Sequence, residues 1–185
     1  MMNRRSILAL LLVSPVLAGC VAPRPRLLEA VEPGEYRLAS GDRLRVIVFG
    51  QDDLSNLYAV DAAGTIAMPL IGAVPVEGAT TRTVEARIAE RLRAGFLRDP
   101  QVTVEVDAYR PFFILGEVAS PGQFPYVDGL TVQTAVAIAG GFTPRANRVS
   151  VEISREVGDS LVTEAVPLSF PVRPGDTIVV AERWL

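Results

Sequence analysis

Acid–base or nucleophilic catalysis calls on histidine, thiol or converging carboxylates, and this chain of 185 residues has no histidine and a single cysteine, Cys20. No cluster of His and Cys at metal-ligand spacing is present in the sequence, so neither a metal nor a cofactor is expected. Asp52-Asp53 offers two adjacent carboxylates, but neighbours in a strand-to-loop segment point apart, and a solvated turn explains them better. A glycan hydrolase would have to draw on Asp52, Glu117 or Glu152, with two carboxylates about 5–9 Å apart in one cleft. Gly140-Gly141 follows a helical pattern instead of opening one, so its amides are not presented to an anion at a helix N-terminus, and a helix C-cap is the better reading. Tyr109-Arg110 with Phe112-Phe113 could form a platform for sugar rings. A strand entering a core uses the same residues, and core is the favoured reading. No catalytic residue is expected, and the protein reads as a non-enzyme.

Cys20 needs a different explanation. Arg4 and Arg5 precede an apolar run of about 11 residues at 7–17, short of the roughly 20 that span a bilayer, so residues 1–19 read as a secretory signal. Arg4-Arg5 is a weak match to a twin-arginine signal, and a basic leader explains it equally well. Leu17-Ala18-Gly19-Cys20 resembles the lipobox of bacterial lipoproteins. The resemblance implies cleavage before Cys20 and acylation of the new N-terminus, and several acyl tails at about 0.8 kcal/mol per buried CH₂ hold a protein stably on a membrane. Val21, where an Asp would favour inner-membrane retention, implies the outer membrane. The rival is a buried thiol or an ordinary signal with a chance cysteine; an internal disulfide is excluded, because there is no second cysteine.

Without residues 1–19 the 18 basic residues, all arginine, fall to 16 against 21 acidic ones, a formal charge of −5 that argues against nucleic acid as a partner. Residues 20–34 are punctuated by proline and read as a tether. From residue 35 onward the pattern predicts an α+β protein of short strands with two helices, one in each of two small domains at 35–109 and 110–185, the second resembling a β-grasp. "RLRVIV" alternates as a half-buried strand, and Tyr58-Ala59-Val60 and Thr65-Ile66-Ala67-Met68 flank a turn at residues 62–64, predicting a hairpin. Thr80 caps a helix with Val84, Ile88 and Leu92 on one face and Gly95 as its C-terminal stop. "PQVTVEV" predicts a strand, and Thr131 caps the second helix, with Leu130 packing on Ala135 and Gly140-Gly141 closing it. Strands follow at 149–154, 161–166 and 177–180, with a turn at Gly158-Asp159 between the first two.

The glycines carry a structural message. Gly41, Gly122 and Gly175 fall at predicted tight turns where positive φ is accessible without a Cβ; Asp42 and Asp176 follow two of them and can bond back to turn amides. Gly72 and Gly116 occupy matching places in "LIGAV" and "ILGEV", each ahead of a Thr-capped helix, while "SGDRLRVIV" echoes "PGDTIVVAE". A weak internal duplication and chance convergence explain this equally well.

In their order along the chain, "YRLASGDRLRVIVFGQDDLSNLYAVDAAGTIAMPLIGAVPVEG", "TRTVEARIAERL" and "LRDPQVTVEV" resemble the polysaccharide export domain of Wza-like outer-membrane auxiliary proteins. "ILGEVASPGQFPYVDGLTVQTAVAIAGGFTPRAN" with "RPGDTIVVAERWL" resembles the soluble-ligand-binding β-grasp domain that follows it there. The resemblance implies a lipoprotein that closes into a homo-oligomeric ring beneath the outer membrane, conducts capsular or exopolysaccharide, and docks on an inner-membrane copolymerase. It differs from the best-known members in stopping at Trp184-Leu185, without their C-terminal membrane helix. As a short form it would rely on a separate outer-membrane β-barrel as pore, and Trp184 would either cover the sheet end or contact a partner. The rival from another class is a monomeric periplasmic lipoprotein that binds carbohydrate or peptidoglycan.

Overall fold

In the computed structural model, residue 28, residues 35–158 and residues 160–183 are described. Cys20, the expected signal at 1–19, the expected tether at 20–34 apart from Leu28, Asp159 and Trp184 lie outside them.

Alternation in "RLRVIV" produces β1 (Arg43–Val48), whose Leu44, Val46 and Val48 are buried while Arg43, Arg45 and Ile47 face solvent. It is followed by β2 (Asn56–Ala59), β3 (Thr65–Met68), β4 (Gly72–Pro75), α1 (Thr81–Arg93) and β5 (Val102–Ala108). β1 is the centre of an antiparallel sheet in the order β2-β1-β5, and β3 pairs with β4 in a separate ribbon. The hairpin expected between residues 58–60 and 65–68 is therefore not formed. A turn is present there, because the Asp61 carboxylate accepts the Ala63 and Thr65 amides and the Thr65 hydroxyl. Beyond it the strands part: Val60 bonds back to Asp42 and Gly41, while β3 turns to Gly72–Pro75.

α1 buries Val84, Ile88 and Leu92, one face at successive turns, and the Thr80 hydroxyl accepts the Thr83 amide as its N-cap. Gly95 does not supply a left-handed stop. Ala94 is the C-cap, and the amides of Phe96 and Leu97 both bond to the Leu92 carbonyl, so the last turn tightens without a positive φ. Glu85 on α1 accepts the Val104 amide of β5 and thereby occupies a donor on the sheet's edge.

The second half begins with β6 (Phe112–Gly116) and β7 (Gly122–Phe124), an antiparallel pair, then α2 (Val132–Ile138). Thr131 and Thr134 form a reciprocal capping box on α2, and Leu130 and Ala135 are both buried, as the staple pattern predicts. β8 (Ser150–Val157) and β9 (Ser160–Pro167) form a hairpin, and β10 (Thr177–Val180) returns parallel to β6 and antiparallel to β8. The sheet order β7-β6-β10-β8-β9 with α2 laid on one face is β-grasp-like, and the whole is the expected α+β pairing of two small domains.

Each domain has its own core: Leu38, Leu44, Val46, Ile66, Val84 and Ile88 in the first, and Phe112, Ile114, Val136, Ile153 and Ile178 in the second. Leu28, which precedes the first domain in sequence, is only 2% exposed and sits in the core of the second; its amide donates to a Glu164 carboxylate oxygen at 3.3 Å. The two halves share a motif and not a topology. β1 and β10 are both central strands entered through a Gly-Asp turn, yet β4 lies outside the main sheet of its domain whereas β6 is an interior strand of its own.

Candidate functional site

The two Gly-Asp turns meet at the junction between the domains. Gly41 and Gly175 adopt φ of 91° and 87°, a region open to glycine without the Cβ clash that other residues suffer. Each turn packs against Arg110: a Cβ on Gly41 would lie 3.4 Å from the Arg110 Cβ, and one on Gly175 would meet its Nε at 2.6 Å. The guanidinium thus lies where a side chain at residue 175 would stand.

Asp42 is fully buried and serves as an acceptor hub. It takes the Ala39 amide at 2.9 Å, the Tyr36 hydroxyl at 2.8–2.9 Å and, across the domain junction, the Arg110 amide at 2.8 Å. Asp176, 1% exposed, repeats the pattern: it takes the Arg173 amide at 2.7 Å and a two-pronged ion pair from Arg155 at 2.8 and 2.7 Å. Arg155, itself 5% exposed, also donates to the Pro171 carbonyl and lies over the Phe170 ring at 5.5 Å, so both buried charges are compensated. The aspartates following Gly41 and Gly175 therefore bond back to their turns as the sequence predicts. Gly72, Gly116, Gly140 and Gly141 also adopt positive φ, but Gly122 does not: it opens β7 and pairs with Ile114 as ordinary extended backbone.

Above these turns lies a cleft of about 480 Å³, within the size range of ligand pockets, lined by Tyr36, Tyr109 and Tyr126 together with charged residues of both domains. The rings form an edge-to-face series, Tyr36 to Tyr109 at 4.8 Å and 87° and Tyr109 to Tyr126 at 5.4 Å and 83°. Burial pushes all three phenols above their ordinary range; for Tyr36 the hydrogen bond to Asp42 adds to it, and for Tyr109 and Tyr126 the Asp128 carboxylate does. Burial, then the nearby Arg155 charge, lowers Arg173, which also lines the cleft.

Of the platform considered from sequence, Tyr109 and Arg110 face this cleft, whereas Phe112 is buried against Phe124 and Phe113 is exposed on the open face of the sheet. Of the carboxylates weighed for hydrolysis, none lines the cleft: Asp52 is in the short helical turn Asp52–Leu54, Glu117 accepts the Thr143 hydroxyl, and Glu152 is exposed on β8. Sequence reasoning missed Tyr36, Tyr126 and Arg155. For Arg155 a signal existed, since it continues the inward alternation of Val151 and Ile153.

Among the described residues no group of His, Cys, Asp and Glu could hold a metal ion, and no helix is long and apolar enough to cross a membrane. A β-grasp-like domain is joined through Arg110 to a small sheet-and-helix domain, which makes the chain a two-domain α+β unit.

Residues 30–107 match the family described as polysaccharide biosynthesis/export protein, and residues 111–163 match the SLBB domain. The chain belongs to the Wza-like polysaccharide export family. It is 35% identical over 145 residues to the exopolysaccharide production protein ExoF of Rhizobium meliloti, covering 71% of this chain and 34% of that protein. It is 28% identical to the EPS I polysaccharide export outer membrane protein EpsA of Ralstonia nicotianae, over 80% of this chain and 48% of EpsA. It is 25% identical to the polysialic acid transport protein KpsD of Escherichia coli, over 80% of this chain and 28% of KpsD. The chain thus spans between about a quarter and a half of the length of these relatives. Tyr109 and Arg110 fall between the two matched segments, and β10, the strand at the centre of the second sheet, lies beyond the second.

Proposed function

We propose that this protein is a non-catalytic component of a polysaccharide export apparatus, held by lipid on Cys20 at the periplasmic face of the outer membrane. Copies of it close into a ring through which capsular or exopolysaccharide passes, and the ring docks on an inner-membrane copolymerase. The observation that carries this reading is the succession of an export domain and an SLBB domain in one chain, matched segment by segment. The names of EpsA, an export outer membrane protein, and KpsD, a transport protein, support the same location and role. The open face of the second sheet adds support for self-association: exposed Phe113 and Leu115 stand there with Val179 beside Leu115, apolar side chains of the kind that partners cover.

Deletion of the gene, with and without complementation, tests the role. Secreted polymer should be lost and then restored; unchanged secretion, with no second copy of the gene, refutes export. Cys20→Ser should leave the folded body intact and release it from membranes in cells lacking its partners. A monomeric binding lipoprotein is the second reading, favoured by a cleft that is complete within one chain. The mass of the full chain in detergent separates the two, since a conduit must close on itself and a receptor need not.

A further inference from the structure

The cleft at the domain junction has features that a merely structural joint does not require. The chain has four tyrosines, and three of them line this one cleft, while Tyr58 is buried and donates its hydroxyl to the Leu54 carbonyl. Tyr36, Tyr109 and Tyr126 are each half-buried, so part of each ring remains open to a ligand. Edge-to-face packing fixes their planes with respect to one another, which lowers the entropic cost of presenting them.

The charges facing the cleft balance. Arg37, Arg110, Arg155 and Arg173 are opposed by Glu35, Asp128, Glu156 and Asp176, and the Arg155–Asp176 pair is internally satisfied. A cleft built for a phosphate or a polyanion would carry an excess of arginine. Balanced charge with aromatic faces and an exposed carboxylate, Asp128, suits a ligand that is rich in hydroxyls, has apolar C–H faces and bears no net charge.

A second hollow, lined by Thr81, Val104 and Val106 among others, shares Glu35, Tyr36 and Tyr109 with the first. The Tyr36–Tyr109 pair is therefore a ridge between two hollows. A chain of sugar rings can cross that ridge, whereas a single sugar would occupy one side only.

We propose that this cleft is a glycan subsite that holds a short, uncharged saccharide segment on the faces of Tyr109 and Tyr126, with Asp128 accepting sugar hydroxyls. The proposal rests on the export reading and names where along the subunit the polymer touches it. Two half-exposed rings and one carboxylate make a weak contact, which suits a chain that must keep moving.

The test is saturation-transfer NMR on the full chain in deuterated detergent, irradiating tyrosine ring protons. The probe is the oligosaccharide mixture from partial hydrolysis of the polymer secreted by the source cell, separated by anion exchange into neutral and acidic fractions. Transfer to the neutral fraction is expected, with affinity at least tenfold weaker in Tyr126→Ala and in Asp128→Asn, and unchanged in Tyr58→Phe. Asp128 is exposed, so its variant remains informative should Tyr126→Ala fail to fold. No transfer to the neutral fraction, transfer to the acidic fraction alone, or undiminished transfer in Asp128→Asn and in any folded Tyr126→Ala overturns the subsite. The export reading is scored separately, by secreted polymer after gene deletion. Lost secretion with an empty cleft would refute the subsite alone, and unchanged secretion would refute export whatever the cleft binds.

Discussion

Replacing Asp42 by alanine should loosen the junction more than any exposed carboxylate change in the chain. The carboxylate is fully buried and satisfies three donors: the amides of Ala39 and Arg110 and the hydroxyl of Tyr36. A buried donor left without an acceptor costs about 1–3 kcal/mol. Tyr36 is only half-buried, so water can reach its hydroxyl once Asp42 is truncated, and the total should fall near 3–5 kcal/mol. Asp42→Asn keeps the volume and one acceptor oxygen but sets an NH₂ against a donor, and should cost about 1–3 kcal/mol. Urea unfolding of the full chain, followed by circular dichroism, reads both. Because the Arg110 amide belongs to the start of the second domain, Asp42→Ala should also split a shared transition into two, the first domain melting earlier. Asp52→Ala, exposed and away from the junction, should stay within about 0.5 kcal/mol of the parent. A loss of less than about 1 kcal/mol in Asp42→Ala would show that the carboxylate does not hold the junction.

The second turn gives a parallel test: Asp176→Ala strands the Arg155 guanidinium and should cost about 3–5 kcal/mol in urea, whereas the double change Arg155→Met with Asp176→Leu should recover most of it. Leu28→Ala should destabilise the second domain by roughly 2–5 kcal/mol and leave the first domain's transition in place, as separate probes of the two domains can show. Alkaline pH should unfold the protein early. The phenols of Tyr36, Tyr58, Tyr109 and Tyr126 are raised above the ordinary 10.0, so unfolding releases protons there; the stability they contribute is complete below pH 10 and is lost as pH rises toward the folded values. Thermal midpoints measured upward from neutral pH should fall less steeply in Tyr36→Phe, whose phenol is the most strongly raised by burial and by Asp42.

What could be read from the sequence was local. Helix α1 followed from Thr80 and the spacing of Val84, Ile88 and Leu92, and the Gly-Asp turns followed from adjacent residues. The hairpin failed because partner choice is non-local: the turn at Asp61 forms as expected, but β2 finds its partner in β1 and β3 in β4. Gly95 and Gly122 show the same limit at single residues, since a glycine permits positive φ without requiring it. The cleft was hidden because Tyr36, Tyr109 and Tyr126 come from three distant stretches, and periodicity reports only which way a residue points within its own element. Tyr109 and Arg110 were weighed together with Phe112 and Phe113, yet a few residues along the chain separate the cleft wall from the buried Phe112 and the exposed Phe113.

Leu28 has a mechanical consequence. Leu28 precedes the first domain in sequence yet packs in the core of the second, so the path of the chain crosses the second domain on both sides of the first. A pull applied upstream of residue 28 reaches the core around Phe112 and Ile178 first, and only then the sheet that contains β1. Were the chain held through residues upstream of Leu28, the second domain would take the strain before the first. A chain that starts at residue 35 would retain all the strands and helices of both domains yet leave a leucine-sized hole in the core of the second.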